Sequence, residues 1–326
     1  MYKADVRCYD RYSDIIGGCE NKTMQLHTIR YSTHPVPILL PNIQREEDVV
    51  KLFSTVVTGN ALDVLRSIPD GYVHSVITSP PYWSLRNYGV PGQIGLEDNV
   101  NDYIAALVGV FEEVRRVLSD RGTLWLNIGD SYTSGGRTWR APDKKNPVRA
   151  MNTRPPTPEG LKSKELVGIP WKLAFALQQA GWYLRSDIIW HKPNAMPESV
   201  KDRPTRSHEY VFLFTKAEQY FYDNSAVREA GRSNLRSVWN INTRPFSDAH
   251  FATFPPELVE KCLLLGSRVG DIICDPFMGS GTVGVVTTHY ERAFLGIELN
   301  PEYVEVTRRR FGKINNELEF RIEYVG

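Results

Sequence analysis

Residues Asp271-Ile272-Ile273-Cys274-Asp275-Pro276-Phe277-Met278-Gly279-Ser280-Gly281-Thr282 carry an apolar run straight into a glycine turn, and Val283-Gly284-Val285-Val286 then reads as a helix. A strand, a Gly-x-Gly turn and a helix in that order build the nucleotide-binding corner of doubly wound α/β sheets, where glycine lets the backbone approach a ligand closely. A Gly-x-Gly alone is weak evidence. One strand further on, Arg292-Ala293-Phe294-Leu295-Gly296-Ile297-Glu298-Leu299-Asn300 puts an acid at a strand's carboxyl end. There a carboxylate can accept hydrogen bonds from both hydroxyls of a ribose, and corner plus acid is far more specific than either part. The competing reading of Glu298 is a solvated loop carboxylate.

A second turn stands far upstream, where Val76-Ile77-Thr78 ends in Ser79-Pro80-Pro81-Tyr82. Successive prolines fix two φ angles and remove two donors, leaving a stiff turn rich in acceptors. Such a turn can hold a planar amino group between two acceptors and an aromatic face. Taken alone it could equally be a proline turn after a buried strand.

Between the turns, apolar runs and helical spacings alternate. Strands are expected at Val56-Val57-Thr58, Val73 to Thr78, Gly122 to Ile128, Trp182 to Trp190, Glu209 to Thr215 and Asp271 to Cys274. Helices are expected over Leu62 to Ile68, Val100 to Leu118, Lys172 to Ala180 and Pro255 to Gly266. This alternation predicts an α/β fold with a mostly parallel sheet. Residues Leu318 to Tyr324 alternate like an extra edge strand without a clear place in it.

With 326 residues, 41% hydrophobic and 24% charged, the chain can bury a full core. Its net charge of +1 does not announce a polyanionic partner, but charge is uneven. Arg137, Arg140, Lys144, Lys145, Arg149, Arg154, Lys162 and Lys164 face only Asp143 and Glu159 in one proline-interrupted segment. That segment reads as a basic loop, suited to phosphates, with a merely solvated loop as the alternative. Cys8, Cys19, Cys262 and Cys274 form no CxxC pair, so reduced thiols and no metal site are expected. No run approaches a membrane span and the start lacks a signal-peptide core, from which a cytoplasmic location is expected.

Thr78-Ser79-Pro80-Pro81-Tyr82-Trp83, followed by Asp275-Pro276-Phe277-Met278-Gly279-Ser280-Gly281-Thr282, resembles the DNA amino-methyltransferases that use S-adenosylmethionine. Gly168-Ile169-Pro170-Trp171, Trp190-His191-Lys192-Pro193 and His250-Phe251-Ala252-Thr253-Phe254-Pro255 share in the resemblance, which spans roughly residues 55 to 310. With the catalytic motif first and the cofactor motif last, the order is similar to the beta-class, circularly permuted branch. It implies a Rossmann-like, doubly wound, mostly parallel seven-stranded sheet with DNA-recognition insertions. The chain would enter at the third strand and supply the first and second last. The methyltransferase domain would cover 51–326, with a DNA-contacting loop at 131–166 and a candidate target-recognition region at 217–247. Residues 1–50 would be an extension, either a packing arm or a DNA contact through Arg7, Arg11, Arg30 and His34.

The resemblance also implies roles. Asp275, Phe277, Gly279, Ser280, Gly281 and Thr282 would surround the methionine part of S-adenosylmethionine, and Glu298 with Leu299 its ribose. Phe251, Thr253 and Pro255 would close the other side. Asn60 stands where many such enzymes carry an acid facing the adenine amino group; an amide oxygen accepts the same bond. At the turn, the Ser79 hydroxyl and Pro80 carbonyl would accept from the target amine, Pro81 would fix the turn and Tyr82 would stack on the base. A base inside a duplex must be flipped out to reach such a pocket. Trp83 would stack on it or serve as a core aromatic beneath the turn; Arg86 suits the base or the adjacent phosphate, and Arg232 and Arg236 could read base edges. Serine at the first motif position resembles the cytosine-N4 branch, aspartate being commoner in adenine-N6 enzymes. Double-stranded DNA and a cognate restriction endonuclease are the implied partners, monomer or dimer staying open. A silent DNA-binding module, or an enzyme acting on RNA or a protein amide, are the other classes.

Overall fold

The computed structural model describes residues 53–133, 155–227, 235–244, 255–312 and 319–324. The extension 1–50 and Arg137, Arg140, Lys144, Lys145, Arg232, Phe251 and Thr253 lie outside the described residues. The elements are Phe53–Thr58 (β1), Ala61–Arg66 (α1), Val73–Thr78 (β2), Val100–Val117 (α2), Leu118–Ile128 (β3), Ile169–Gln179 (α3), Tyr183–His191 (β4) and His208–Thr215 (β5). They continue with Val238–Asn240 (β6), Pro256–Gly266 (α4), Ile272–Asp275 (β7), Thr282–His289 (α5), Ala293–Glu298 (β8), Pro301–Phe311 (α6) and Glu319–Tyr324 (β9).

Helix boundaries follow local chemistry. Asn60, Asn99 and Asn300 cap α1, α2 and α6, each side chain accepting from a backbone N–H in the first turn. Such a cap is worth about 1 kcal/mol. Pro170, Pro256 and Pro301 stand in first turns, where no donor is lost.

The strands form one nine-stranded sheet in the order β6-β4-β5-β3-β2-β7-β8-β1-β9. The late strands β7 and β8 thus lie between β2 and β1. Two strands beyond the expected seven extend the edges: β6 beside β4, and β9 parallel to β1. Among the described strands, β5 runs antiparallel to both its neighbours, and the other pairings are parallel.

Side chains alternate into two cores. Val57, Val76, Leu124, Leu126 and Leu295 pack under α1, α2 and α3, while Val56, Ile77, Trp125, Ile273 and Phe294 pack under α4, α5 and α6. Burial on both faces explains the near-continuous apolar runs. Region 217–247 is in part scaffold: Trp239 of β6 is buried and packs on Trp125, with ring centroids 6.3 Å apart. Among the described residues no helix is long and apolar enough to cross a membrane.

Candidate active site

β2 pairs with β7 in parallel, Val76 facing Cys274, so the Ser-Pro-Pro-Tyr turn and the glycine corner emerge side by side at one sheet edge. The Thr78 hydroxyl donates to Asp275 Oδ1 at 2.7 Å and ties the two together. A cavity of about 380 Å³ spans them, lined at one end by Asp275, Phe277, Gly279, Ser280, Thr282, Glu298 and Leu299 and at the other by Ser79, Pro80, Pro81 and Tyr82. Asn60 and Arg86 also line it.

The corner is built as the spacing predicts. Gly281 adopts φ +76, and a Cβ there would lie 2.6 Å from Thr307, so only glycine fits. Each Glu298 oxygen accepts one backbone N–H, from Gly279 at 2.7 Å and Asn300 at 2.8 Å. Asp275 also accepts from the Phe277 N–H. Burial pushes both carboxyls up, each to about 7. Two buried acids suit a ligand that brings positive charge and hydroxyl donors. Arg310, which the sequence did not announce, donates to the Ser280 carbonyl and to the Ser280 and Thr282 hydroxyls, bracing the turn from α6. Asn60 spends one oxygen lone pair on capping α1. Pro255 precedes α4 and is not among the cavity's lining residues.

At the other end the turn is less open than two prolines suggest. The Tyr103 hydroxyl takes the Pro81 carbonyl at 2.8 Å, whereas no donor among the described residues reaches the Pro80 carbonyl. Of the two proline carbonyls, that of Pro80 is therefore the one left without a donor among the described residues. Trp83 is a core residue, 3% exposed, its indole N–H donating to the Glu97 carbonyl; it cannot stack on a flipped base. Arg236 is exposed outside the cavity, whereas Arg244 lies at its rim.

Three groups missed by sequence reading complete this end. Glu209 accepts from the Tyr82 hydroxyl at 2.7 Å, from Asn127 Nδ2 at 2.9 Å and from Lys192 Nζ at 2.5 Å. Asn127 Nδ2 is also 2.8 Å from the Tyr82 oxygen and 3.4 Å from Ser79 Oγ. Burial pushes the Glu209 carboxyl up, but the adjacent Lys192 charge and the three hydrogen bonds outweigh it and hold the group below the usual carboxylate range. Gly129 makes room: a Cβ there would lie 2.7 Å from the Tyr82 ring and 3.4 Å from the Glu209 carboxyl carbon. Asn127 gave a signal, being a polar residue inside the apolar run Leu124 to Ile128. Glu209 gave none, because β5 must be known to run antiparallel before its first residues fall at the edge where β2 and β3 end.

The described residues on either side of the segment expected as a basic loop are joined. Tyr132 bridges Leu166, and the Thr133 N–H donates to the Glu165 carbonyl. Ser131 follows Asp130, which holds the start of α3 through the Gly168 and Ile169 N–H groups.

The chain is similar to known proteins. The Type II methyltransferase M.Cfr9I of Citrobacter freundii is 59% identical over 278 residues, covering 84% of this chain and 93% of that protein. M.XycI of Xanthomonas campestris pv. cyanopsidis is 58% identical over 86% of this chain and 95% of its own. Among solved structures, the PvuII DNA methyltransferase (cytosine-N4-specific) superposes with a TM-score of 0.62 at 20% identity, covering 82% of this chain and 89% of that one. A Thermus thermophilus protein complexed with S-adenosyl-L-methionine gives 0.60 at 24%, covering 84% and 99%. These two likenesses speak for the fold. The N6/N4 methyltransferase family, described as DNA methylase, matches residues 73–309, which include both turns, and the chain belongs to that family.

Proposed function

We propose that the protein is a Type II DNA methyltransferase that moves the methyl group of S-adenosylmethionine to the exocyclic N4 of a cytosine flipped out of duplex DNA. The carrying observation is the single cavity that joins a cation-favouring, hydroxyl-accepting end at Asp275 and Glu298 to an amine-accepting end at Ser79 and Pro80. The relatives bearing the Type II name agree with this reading, as does the cofactor held by the Thermus thermophilus neighbour. The position of β7 and β8 between β2 and β1 supports the permuted, beta-class order.

An exocyclic amine of a nucleobase is a poor nucleophile, since its lone pair is delocalised into the ring. The Ser79 hydroxyl and Pro80 carbonyl each accept one N–H, which favours the pyramidal nitrogen needed for attack. Holding the nitrogen in line with the donor's methyl supplies several kcal/mol, roughly 7–11 at the upper end. Asp275, Glu298 and the Arg310-braced turn fix the donor. The proton released leaves to water. Cytosine is favoured by Ser79, and by the named specificity of the PvuII neighbour. The DNA would be gripped by the loop 131–166 and read by parts of 217–247, with a restriction endonuclease as companion in a cytoplasmic restriction-modification system.

The test is incubation with S-adenosylmethionine and unmodified mixed-sequence DNA, then digestion to nucleosides and mass spectrometry. N4-methylcytosine is expected, falling about 100-fold or more in Ser79→Ala. N6-methyladenine would transfer the same mechanism to adenine, and label only in RNA or protein would overturn the DNA assignment.

A further inference from the structure

Ser79 brings no charge to the turn, yet a carboxylate stands one residue-layer behind it. Glu209 divides its two oxygens: Oε1 pairs with Lys192, and Oε2 faces Tyr82 and Asn127. Oε2 is thus the oxygen joined to the turn through Tyr82, while Lys192 takes Oε1, and both residues line the cavity. Lys192 Nζ also lies over the Trp190 ring, 4.3 Å from its centroid. Asn127 is 3% exposed and aims its N–H groups at Glu209, Tyr82 and Ser79, although its own Oδ1 is buried with no donor among the described residues. Leaving that oxygen unpaired is costly, and it marks the carboxylate as the group that sets the amide's orientation.

Resting on the methyl-transfer reading above, we propose that Glu209 is the positioning carboxylate of the site: through Tyr82 and Asn127 it fixes the Ser79 hydroxyl, and its charge stabilises the target amine as that nitrogen becomes cationic. In the step itself the nitrogen forms a bond to the methyl carbon while the carbon–sulfur bond breaks, sulfur keeping the bonding pair. Positive charge passes from sulfur to nitrogen, and one N–H proton then goes to water. A fixed negative charge near nitrogen is worth more in that transition state than in the ground state, because the amine starts neutral. Glu209, on β5, would supply across the sheet what an acidic residue in the turn would supply directly. The charged and titratable groups facing it are Lys192 after β4, Tyr82 in the turn, and His208 beside it, which also feels Arg206 and His191.

The test compares wild type, Glu209→Gln, the neutral pair Lys192→Met/Glu209→Gln, and each with Ser79→Asp added, by single-turnover methyl transfer at saturating S-adenosylmethionine and DNA. Dissociation constants for both ligands are measured alongside. The expected result is a rate loss of about 10²–10³ in Glu209→Gln and in the neutral pair, with both dissociation constants within about threefold of wild type. Ser79→Asp should restore the neutral pair at least about tenfold and slow the wild type, where two carboxylates would compete. In Lys192→Met alone, the acid limb of the rate should move toward neutral pH, since Glu209 loses the cation that keeps it ionised. A rate within about threefold of wild type in the neutral pair, no recovery on adding Ser79→Asp, or a Lys192→Met loss equal at every pH would each overturn the inference. Nucleoside identity is read separately: N6-methyladenine would overturn the cytosine assignment and leave the Glu209 comparison standing. Wild-type protein that methylates no DNA would overturn both.

Discussion

Asp275 and Glu298 show how single residues prepare the cavity. Each carboxyl stands at about 7, above ordinary values of 3.8 and 4.5, because burial raises it further than its hydrogen bonds lower it. In the empty protein the folded state therefore binds more protons than the unfolded chain between about pH 4 and 7, and stability contributed by these groups falls as pH rises through that window. A ligand with sulfonium and ammonium charges and ribose hydroxyls needs the ionised forms and reverses the balance. Affinity for S-adenosylmethionine should weaken roughly 10- to 100-fold between pH 8 and pH 6, and its thermal stabilisation should shrink in step. Calorimetric titration across that range checks it. Glu298→Gln should flatten the pH slope as well as weaken binding; an equally steep slope in that variant would remove Glu298 from the account.

At the scale of elements, the glycine corner was legible because its requirements are local. Gly281 needs a left-handed φ and a close approach to α6, and both are written as Gly in sequence. Gly281→Ala should cost about 1–2 kcal/mol from the backbone alone. The forced shift of Thr307 should carry to Arg310 and the Ser280 carbonyl it braces. Affinity for the cofactor should drop at least about tenfold while DNA binding holds, which fluorescence titration of each ligand separates. Unchanged cofactor affinity would mean that the corner tolerates the methyl group. The strands other than β6, and α1 to α5, were readable for the same local reason, as apolar runs and helical spacing. What stayed hidden depends on non-local geometry. β6 is three residues long and has no period to read. Helix α6, with its bracing Arg310, carries a mostly polar sequence. Glu209 and Lys192 meet only because β5 reverses direction and β4 returns beside it. Trp83 could be read either as a stacking ring or as core, and burial decided for the core.

Across the whole molecule, the sheet sets which segments the site can lose. β9 is the last strand in sequence and pairs in parallel along all of β1, from Phe53 opposite Glu319 to Thr58 opposite Tyr324. It converts β1 from an edge into an interior strand, and Ser54, Thr55, Val56 and Val57 are fully buried there. The glycine corner and the Ser-Pro-Pro-Tyr turn lie inward, on β7, β8 and β2. A chain ended after Gly312 would leave β1 with unpaired backbone groups, each lost hydrogen bond costing about 0.5–1.5 kcal/mol, and with an edge open to other molecules. Such a truncation should lower Tm by several degrees and promote self-association visible by light scattering. At low temperature and low concentration it should keep cofactor affinity within about threefold, because every residue lining the cavity remains. Loss of cofactor binding under those mild conditions would show that the site depends on the completed sheet and not on the two turns and their partners alone. Unchanged Tm would show that β1 is held by β8 and the helices without help from β9.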